Sequence, residues 1–303
     1  REVVYGNYYV KDAPKLDGAA ASAFDALVGM IKQADAENGR IGYELDHLPV
    51  SLHARLREAL PGTTMVDASP IFRELRTIKT PEEVDRVRRA TQITEEAIDE
   101  AFARIRVGTT EKEVAAWINE GVIARGADPL YVTLGAAGRG AYGVGYPTDR
   151  AFVAGEVIRA DVSARYGHYH SDLGRCCVVG SATAEQTEYY RVAYEALQAG
   201  IGAVAAGRPI GEVFAAAIKV PHTSGHPEFQ RHHIGHGIGL QAHEWPFLKP
   251  GVNDSIRAGM VLAVEVPYYV YGLGGFSPED ILVVKEDGVE LFSHAPAKLP
   301  VVG

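Results

Sequence analysis

Five residues of this chain combine side-chain types and positions that could hold metal ions. They are Asp161, Asp172, His236, Glu265 and Glu279. Each lies in a run whose other residues are typical of a buried strand or a glycine-rich loop. Because a buried carboxylate without a compensating charge is strongly destabilising, such residues need a partner. Oxygen-rich sets with one or two histidines suit divalent ions such as Mn²⁺, Co²⁺, Fe²⁺ or Zn²⁺.

The spacing of the four acids predicts two hairpin pairs. Asp161 and Asp172 flank a turn near residues 166–167, and a tight antiparallel hairpin centred there places them directly opposite each other. Side chains in such pairs lie about 4.5–5.5 Å apart, so two acids repel unless a cation lies between them. Glu265 and Glu279 flank a glycine-rich loop in the same way. With the imidazole, the four carboxylates predict a site for two ions about 3.5–4 Å apart.

An internal repeat accounts for these matching pairs. In each half a glycine begins a predicted strand that ends six residues later on an acid, Asp161 in the first half and Glu265 in the second. The turns that open the preceding helices, 108–114 and 207–213, also correspond. We therefore predict two copies of one helix–helix–strand–strand unit. The copies are residues 81–180 and 183–290.

The remaining sequence predicts a smaller α/β unit at the N-terminal end. A β-branched and aromatic run, Val3–Val10, precedes an alanine-rich helix near 19–34, and a strand, a helix and a strand follow. Because the chain opens at Arg1 in the manner of a strand interior, we expect residues to be missing before it. The predicted domains are an incomplete α/β domain at 1–72, a linker at 73–80 and a catalytic domain at 81–303.

Composition narrows the classes of partner. A length of 303 residues favours two domains, and a net charge of −9 argues against nucleic acid or an anionic membrane surface. No stretch approaches the roughly 20 apolar residues that span a bilayer. Cys176 and Cys177 are adjacent, and neighbouring strand residues point to opposite faces, so they are poorly placed to form a disulfide. We therefore expect a reducing, cytoplasmic compartment.

The residues around His236 resemble a known family. Residues 231–240 read Arg-His-His-Ile-Gly-His-Gly-Ile-Gly-Leu, and His243-Glu244 follow shortly afterwards. This run resembles the signature of the pita-bread metallopeptidases, the group of methionine aminopeptidase, aminopeptidase P and prolidase. Further matching motifs lie at 74–83, 147–150 and 278–280. The small N-terminal unit is similar to the one in the prolidase, aminopeptidase P and creatinase branch.

The resemblance implies both a fold and a ligand set. The fold is α+β, a pita-bread C-terminal domain with a pseudo-twofold repeat that follows a creatinase-like N-terminal domain. By the resemblance, Asp161 chelates one ion, and His236 with Glu265 chelates the other. Asp172 and Glu279 bridge both ions. The branch also implies a homodimer.

The resemblance further implies catalytic roles. Two ions lower the pKa of a bridging water, toward about 7 in the best single-zinc cases, and the resulting hydroxide attacks an amide carbonyl. Glu265 carries the proton to the leaving amine. His243 steadies the tetrahedral intermediate, and His232 contacts the substrate.

One segment departs from the family and leaves the substrate open. Peptidase relatives carry a histidine just ahead of the Pro-Thr-Asp-Arg stretch, whereas residues 141–146 here contain none and Val144 stands near that place. The first hypothesis is an Xaa-Pro dipeptide or short peptide as substrate. The second keeps the site but takes a non-peptide small molecule, as creatinase, ectoine hydrolase or sulfonium lyase does. A non-catalytic binding module is the third, and the identity of the metal also stays open.

Overall fold

The computed structural model describes residues 20–143 and 145–303. The predicted strand Val3–Val10 and Val144 lie outside the described residues. The chain divides into two units, one up to residue 75 and one from 76 to 303. Within the described ranges, no helix is long and apolar enough to cross a membrane.

The first unit alternates helices and strands. Its elements are α1 (Ala23–Gln33), β1 (Arg40–Tyr43), α2 (Val50–Ala59), β2 (Thr64–Asp67) and α3 (Ser69–Thr77), the last of which runs past its end. Strands β1 and β2 pair in parallel, which requires a crossover connection, and α2 supplies it. Ser22 begins α1 by accepting a hydrogen bond from the backbone N–H of Asp25.

The second unit contains four helices, one 3₁₀ turn and twelve strands within its described residues. The helices are α4 (Pro81–Ala103), α5 (Glu111–Ala124), α6 (Ala184–Ala203) and α7 (Ile210–Thr223), with a 3₁₀ turn at Ala137–Arg139. The strands of its first half are β3 (Asp128–Ala136), β4 (Val157–Tyr166), β5 (Tyr169–His170) and β6 (Leu173–Val179). Those that follow are β7 (Gly235–Gly237), β8 (Glu244–Phe247), β9 (Val261–Glu265), β10 (Tyr268–Val270), β11 (Gly274–Phe276), β12 (Glu279–Lys285), β13 (Gly288–Leu291) and β14 (Val301–Val302).

Three of these helices begin with the same local device. Thr80, Thr110 and Thr183 each accept a hydrogen bond from the backbone N–H three residues later. A glutamate or glutamine side chain at that third position accepts a hydrogen bond from the threonine N–H in return. This capping box satisfies two backbone donors that the helix cannot satisfy itself, so the sequence places these helix starts locally.

The internal repeat gives two five-stranded sheets. One sheet has the order β14-β6-β4-β3 with β5 attached to β4, and the other has the order β13-β12-β9-β7-β8. The antiparallel ladder β6-β4-β3 corresponds to β12-β9-β7, and each follows a pair of helices in the chain. Every residue of β6 is buried, as are the first six of β12. Strands buried on both faces leave any charged side chain among them dependent on an internal partner.

The strand register confirms one predicted acid pair and corrects the other. Glu265 lies directly opposite Glu279 between β9 and β12, as predicted. Asp161, however, pairs with Gly174 rather than with Asp172. The prediction was wrong because the turn falls one residue later than expected, at Gly167 and His168, both of which have positive φ. The first pair is therefore diagonal across the ladder.

Candidate metal centre

Potential ligand atoms converge in two overlapping sets. Asp161, Asp172 and Glu279 offer carboxylate oxygens that lie within 4.8 Å of one another. Asp172, His236 and His243 form a second set within the same limit. Because Asp172 belongs to both sets, the two lie side by side and share one carboxylate.

The sheets bring these residues together through a close backbone approach. Gly174, the second residue of β6, donates its N–H to Oε2 of Glu279 at 2.8 Å. A Cβ atom at position 174 would lie 2.5 Å from the carbonyl oxygen of Ser277, which is closer than packed atoms allow. Glycine at this position therefore lets β6 approach the start of β12, and the acids of the two halves meet there.

Asp172 and Glu279 are buried beside other acids. Asp172 is 3% exposed and Glu279 is 4% exposed. Burial raises the pKa of Asp172 well above its usual value, and the neighbouring charge of Asp161 raises it further. Burial also raises the pKa of Glu279, followed by the charge of Asp172. A divalent cation between them would relieve both effects, since it supplies the missing opposite charge.

His236 is prepared as a neutral ligand. Its Nδ1 lies 3.0 Å from the carbonyl oxygen of Gly237, and because a carbonyl only accepts, Nδ1 carries the proton. The free lone pair is then on Nε2, which lies 3.9 Å from Oδ2 of Asp172. Burial, followed by the proximity of His243, lowers the pKa of His236 to about 3. A neutral imidazole oriented by a backbone carbonyl is the usual form of a metal-binding histidine.

Glu265 is near this cluster but belongs to neither ligand set among the described residues. Its Oε1 lies 3.5 Å from Nδ1 of His233, and its Oε2 lies 3.6 Å from Nη2 of Arg231. Burial raises the pKa of Glu265, and Arg231 opposes that rise. The carboxylate thus lies between the predicted metal ligands and a basic residue.

The two histidines predicted to be catalytic differ in position. The ring of His243 lies 3.9 Å from the ring of His236, centroid to centroid, at the exposed edge of the site. It is therefore close enough to be a ligand itself, a role that the sequence did not predict. His232 is exposed, and its ring lies 5.9 Å from that of His233. The catalytic roles of His243 and His232 stay predictions.

Three polar residues that the sequence reasoning did not single out contact the acids. Arg159 donates from Nη2 to Oδ2 of Asp161 at 2.6 Å. Tyr131 donates its hydroxyl to Oδ1 of Asp172 at 2.8 Å. Arg231 is the third, and its Nη2 lies 3.6 Å from Oε2 of Glu265. A signal for Arg159 was present, because a residue two positions before Asp161 on a strand points to the same face.

The described residues fit a divalent metal. The donors are carboxylate oxygens and a neutral imidazole nitrogen, which is the mixture that Mn²⁺, Fe²⁺, Co²⁺ and Zn²⁺ accept. Tyr131 donates a hydrogen bond to Oδ1 of Asp172, and the carbonyl oxygen of Gly237 accepts one from Nδ1 of His236. Oδ2 of Asp172 and Nε2 of His236 are the atoms left to bind an ion. Such supporting hydrogen bonds orient ligands before an ion arrives.

Known proteins similar to this chain are Xaa-Pro dipeptidases and an X-Pro aminopeptidase. An Xaa-Pro dipeptidase from Pyrococcus furiosus is 29% identical over 291 residues, which cover 95% of this chain and 82% of that protein. The structure of an Xaa-Pro dipeptidase from Bacillus anthracis matches with a TM-score of 0.87 and 27% identity, over 94% of this chain and 81% of that one. An X-Pro aminopeptidase from Thermotoga maritima matches with a TM-score of 0.86 and 27% identity, over 92% and 78%.

Family matches cover both units. Residues 5–78 match the Creatinase/Prolidase N-terminal domain. Residues 85–286, most of the chain, match Metallopeptidase family M24. The predicted α+β pita-bread fold with a creatinase-like N-terminal domain is confirmed by these matches and by the solved structures. The chain belongs to Metallopeptidase family M24.

Proposed function

We propose that this chain is a dipeptidase that uses two divalent metal ions to cleave Xaa-Pro dipeptides. The observation that carries the proposal is the pair of ligand sets that share Asp172, because a shared carboxylate is the geometry of a two-ion site. The relatives named Xaa-Pro dipeptidase support the reaction class. Membership of a metallopeptidase family implies a divalent metal.

The proposed ligands are those predicted from the sequence. Asp161 would hold one ion, and His236 with Glu265 would hold the other. Asp172 and Glu279 would serve both. When bound, the ions would polarise the scissile carbonyl and make a water molecule more acidic. The metals we propose are manganese, cobalt, zinc or iron, since the donor set accepts all four.

The protein residues supply proton transfer and orientation. Glu265 is the proposed proton carrier to the leaving nitrogen, and burial raises its pKa in the metal-free chain. His243 lies at the open edge of the site, where burial lowers its pKa and favours the neutral ring. A neutral His243 can donate a hydrogen bond to the developing negative charge on the substrate oxygen. His232 contacts the substrate farther out.

A cavity beside Glu265 is the proposed substrate pocket. Its volume is about 450 Å³. The lining residues are Tyr189, Glu228, Phe229, Gln230, Arg231, Pro267, Tyr268, Tyr269, Val270 and Tyr271. The aromatic rings offer a surface for an apolar ring such as that of proline, and Arg231 offers a charge for a free carboxylate. A dipeptide carries that carboxylate immediately after the scissile bond, whereas a longer peptide does not.

The test compares substrates that differ only in this carboxylate. Metal-loaded enzyme is expected to cleave Ala-Pro faster than Ala-Pro-amide, and Arg231→Met is expected to reduce that preference by about tenfold or more, because a charge-assisted hydrogen bond is lost. The measurement is kcat/KM for both substrates. Arg208→Met, which removes an exposed arginine of the same unit, is the control and should leave the preference unchanged. Equal losses on both substrates would show that Arg231 acts on Glu265 instead.

A non-peptide substrate is the second candidate. It is favoured by the segment 141–146, which carries no histidine where peptidase relatives have one. Gly143 in this segment accepts a hydrogen bond from buried Arg159 at 2.9 Å, so the segment is tied to the metal centre. Absence of turnover of every Xaa-Pro dipeptide under Mn²⁺, Co²⁺, Fe²⁺ and Zn²⁺ would favour this candidate. The converging ligands argue against a non-catalytic binding module.

We also propose that the protein is located in the cytoplasm and forms a homodimer. Cys176 and Cys177 are both buried free thiols, which is consistent with a reducing compartment. The homodimer rests on the family resemblance alone.

A further inference from the structure

Arg159 is a buried cation inside the proposed metal centre. Its side chain is only 4% exposed. Nη2 donates to Oδ2 of Asp161 at 2.6 Å, and Nη1 donates to the carbonyl oxygen of Gly143 at 2.9 Å. Its Nε is also buried and makes no hydrogen bond within the described part of the chain. A guanidinium stays protonated in proteins, so this is a permanent positive charge.

The surroundings of Arg159 leave it little freedom to move away. Its stem packs against Gly275 of β11, where a Cβ atom would lie 3.0 Å from Cδ of Arg159. The guanidinium carbon lies 5.4 Å from the centre of the Tyr269 ring, within the range of a cation–π contact. Nη1 also donates to Oγ1 of Thr133 at 3.4 Å. Because the stem is confined and four groups contact the guanidinium, we expect the charge to remain beside Asp161 when an ion binds.

This fixed charge affects an ion at Asp161 in two ways. First, a short charge-assisted hydrogen bond engages one of the two carboxylate oxygens, so Asp161 is a weaker donor to a metal. Second, the guanidinium repels a divalent cation that binds within a few ångströms of it, and the low dielectric of a buried site strengthens that repulsion. Both effects lower the affinity of the ion that Asp161 holds.

The same charge has the opposite effect when no ion is present. Four acids then lie close together, and two of them are almost fully buried. Arg159 offsets part of their mutual repulsion and so stabilises the metal-free fold. At the other position, Arg231 lies near Glu265, but its Nη2 is 3.6 Å from Oε2, longer than the 2.6 Å hydrogen bond of Arg159 to Asp161. The two ion positions are therefore electrostatically unequal.

We propose that the buried charge of Arg159 lowers the affinity of the site for the ion at Asp161 and stabilises the metal-free fold. The role is that of a positioning residue, since Arg159 acts through Asp161. The inference rests on the two-ion centre proposed above, and its test requires no substrate.

The experiment titrates the metal-free full chain with Mn²⁺ by isothermal titration calorimetry and follows its thermal unfolding in chelator. In Arg159→Met, the weaker binding step is expected to tighten by about tenfold or more, which corresponds to about 1.4 kcal/mol. The unfolding midpoint of the metal-free variant is expected to fall. If Arg159 had only a structural role, its replacement would lower both the Mn²⁺ affinity and the unfolding midpoint. A higher affinity together with a lower midpoint therefore identifies the proposed role.

Three further variants complete the design. Arg159→Lys keeps the charge but not the planar fork, so it should tighten the weaker step by less, about threefold. It also decides the question if Arg159→Met does not fold. Arg165→Met removes a partly exposed arginine of the same strand and should leave both quantities unchanged. Asp161→Ala should abolish the weaker step.

The outcomes separate this inference from the proposed function. Equal or weaker Mn²⁺ binding in both Arg159 variants, with a native chain that binds two ions, overturns the role of Arg159 alone. Persistence of the weaker step in Asp161→Ala also overturns it. A native chain that binds no ion overturns the proposed function as well.

Discussion

At the scale of single residues, burial makes Asp172 and Glu279 hold protons more tightly than ordinary carboxyl groups do. Both have a raised pKa because they are desolvated and lie beside other acids. His236 behaves in the opposite sense, since burial lowers its pKa to about 3 and keeps it neutral. An arriving cation therefore competes with protons on the acids but not on the imidazole.

This competition predicts that metal affinity rises with pH. Above the ordinary carboxyl range of about pH 4, a higher pH removes protons that Mn²⁺ must otherwise displace, so the apparent affinity should increase and each binding event should release protons. Calorimetric titrations in two buffers of different ionisation enthalpy measure both effects. Asp128→Asn, which removes an exposed acid, is the control. Affinity that is independent of pH, without proton release, would contradict the assigned ligands.

At the scale of elements, the approach of β6 to the start of β12 depends on one glycine. Gly174 pairs with Asp161 across one ladder and donates to Glu279 from the other half of the repeat. It is thus the backbone link between two proposed ligands. A side chain at this position would meet both the carbonyl and the hydroxyl oxygen of Ser277.

Gly174→Ala is therefore expected to impair both folding and metal binding. Overpacking of this kind costs about 1–3 kcal/mol, because the strands must separate to admit the methyl group. Denaturant unfolding measures the loss, and Mn²⁺ titration should show weakened binding. Gly202→Ala is the matched control: it lies in α6 with no atom near the added Cβ. Its expected effect is a gain of about 0.5–1 kcal/mol. Equal stability of Gly174→Ala and the native chain would refute the close approach.

At the scale of the whole molecule, the proposed ligands come from both halves of the repeat. Asp161 and Asp172 belong to the first half, and His236, Glu265 and Glu279 to the second. An ion held by Asp172 and His236 together therefore links the two sheets of the second unit. Binding that exists only in the folded state stabilises that state by mass action.

Saturating Mn²⁺ is expected to raise the unfolding temperature of this unit. At a free concentration about 100 times the dissociation constant, the gain is about 2.7 kcal/mol for each ion. Differential scanning calorimetry with metal and with chelator measures it. Asp172→Asn should lose most of the metal-dependent gain, because the two proposed ions would share that carboxylate. A midpoint that metal does not change in the native chain would argue against ligands from both halves.

Much of this architecture was predictable because its signals are local. The capping threonines, the glycines that open turns and the spacing of the acids are all short-range patterns. They predicted the repeat and the Glu265–Glu279 pair. The family motif around His236 supplied the fold class, which the comparisons then confirmed.

The sequence by itself determined which residue types face the site, and the tertiary structure decided how they pair. The prediction placed Asp172 opposite Asp161, whereas Gly174 occupies that position. Because side chains alternate with a period of two, a register shift of two residues keeps both acids on one face, so the predicted cluster survived the error. The contact of Arg231 with Glu265 could not be predicted in this way, since it depends on packing between distant segments.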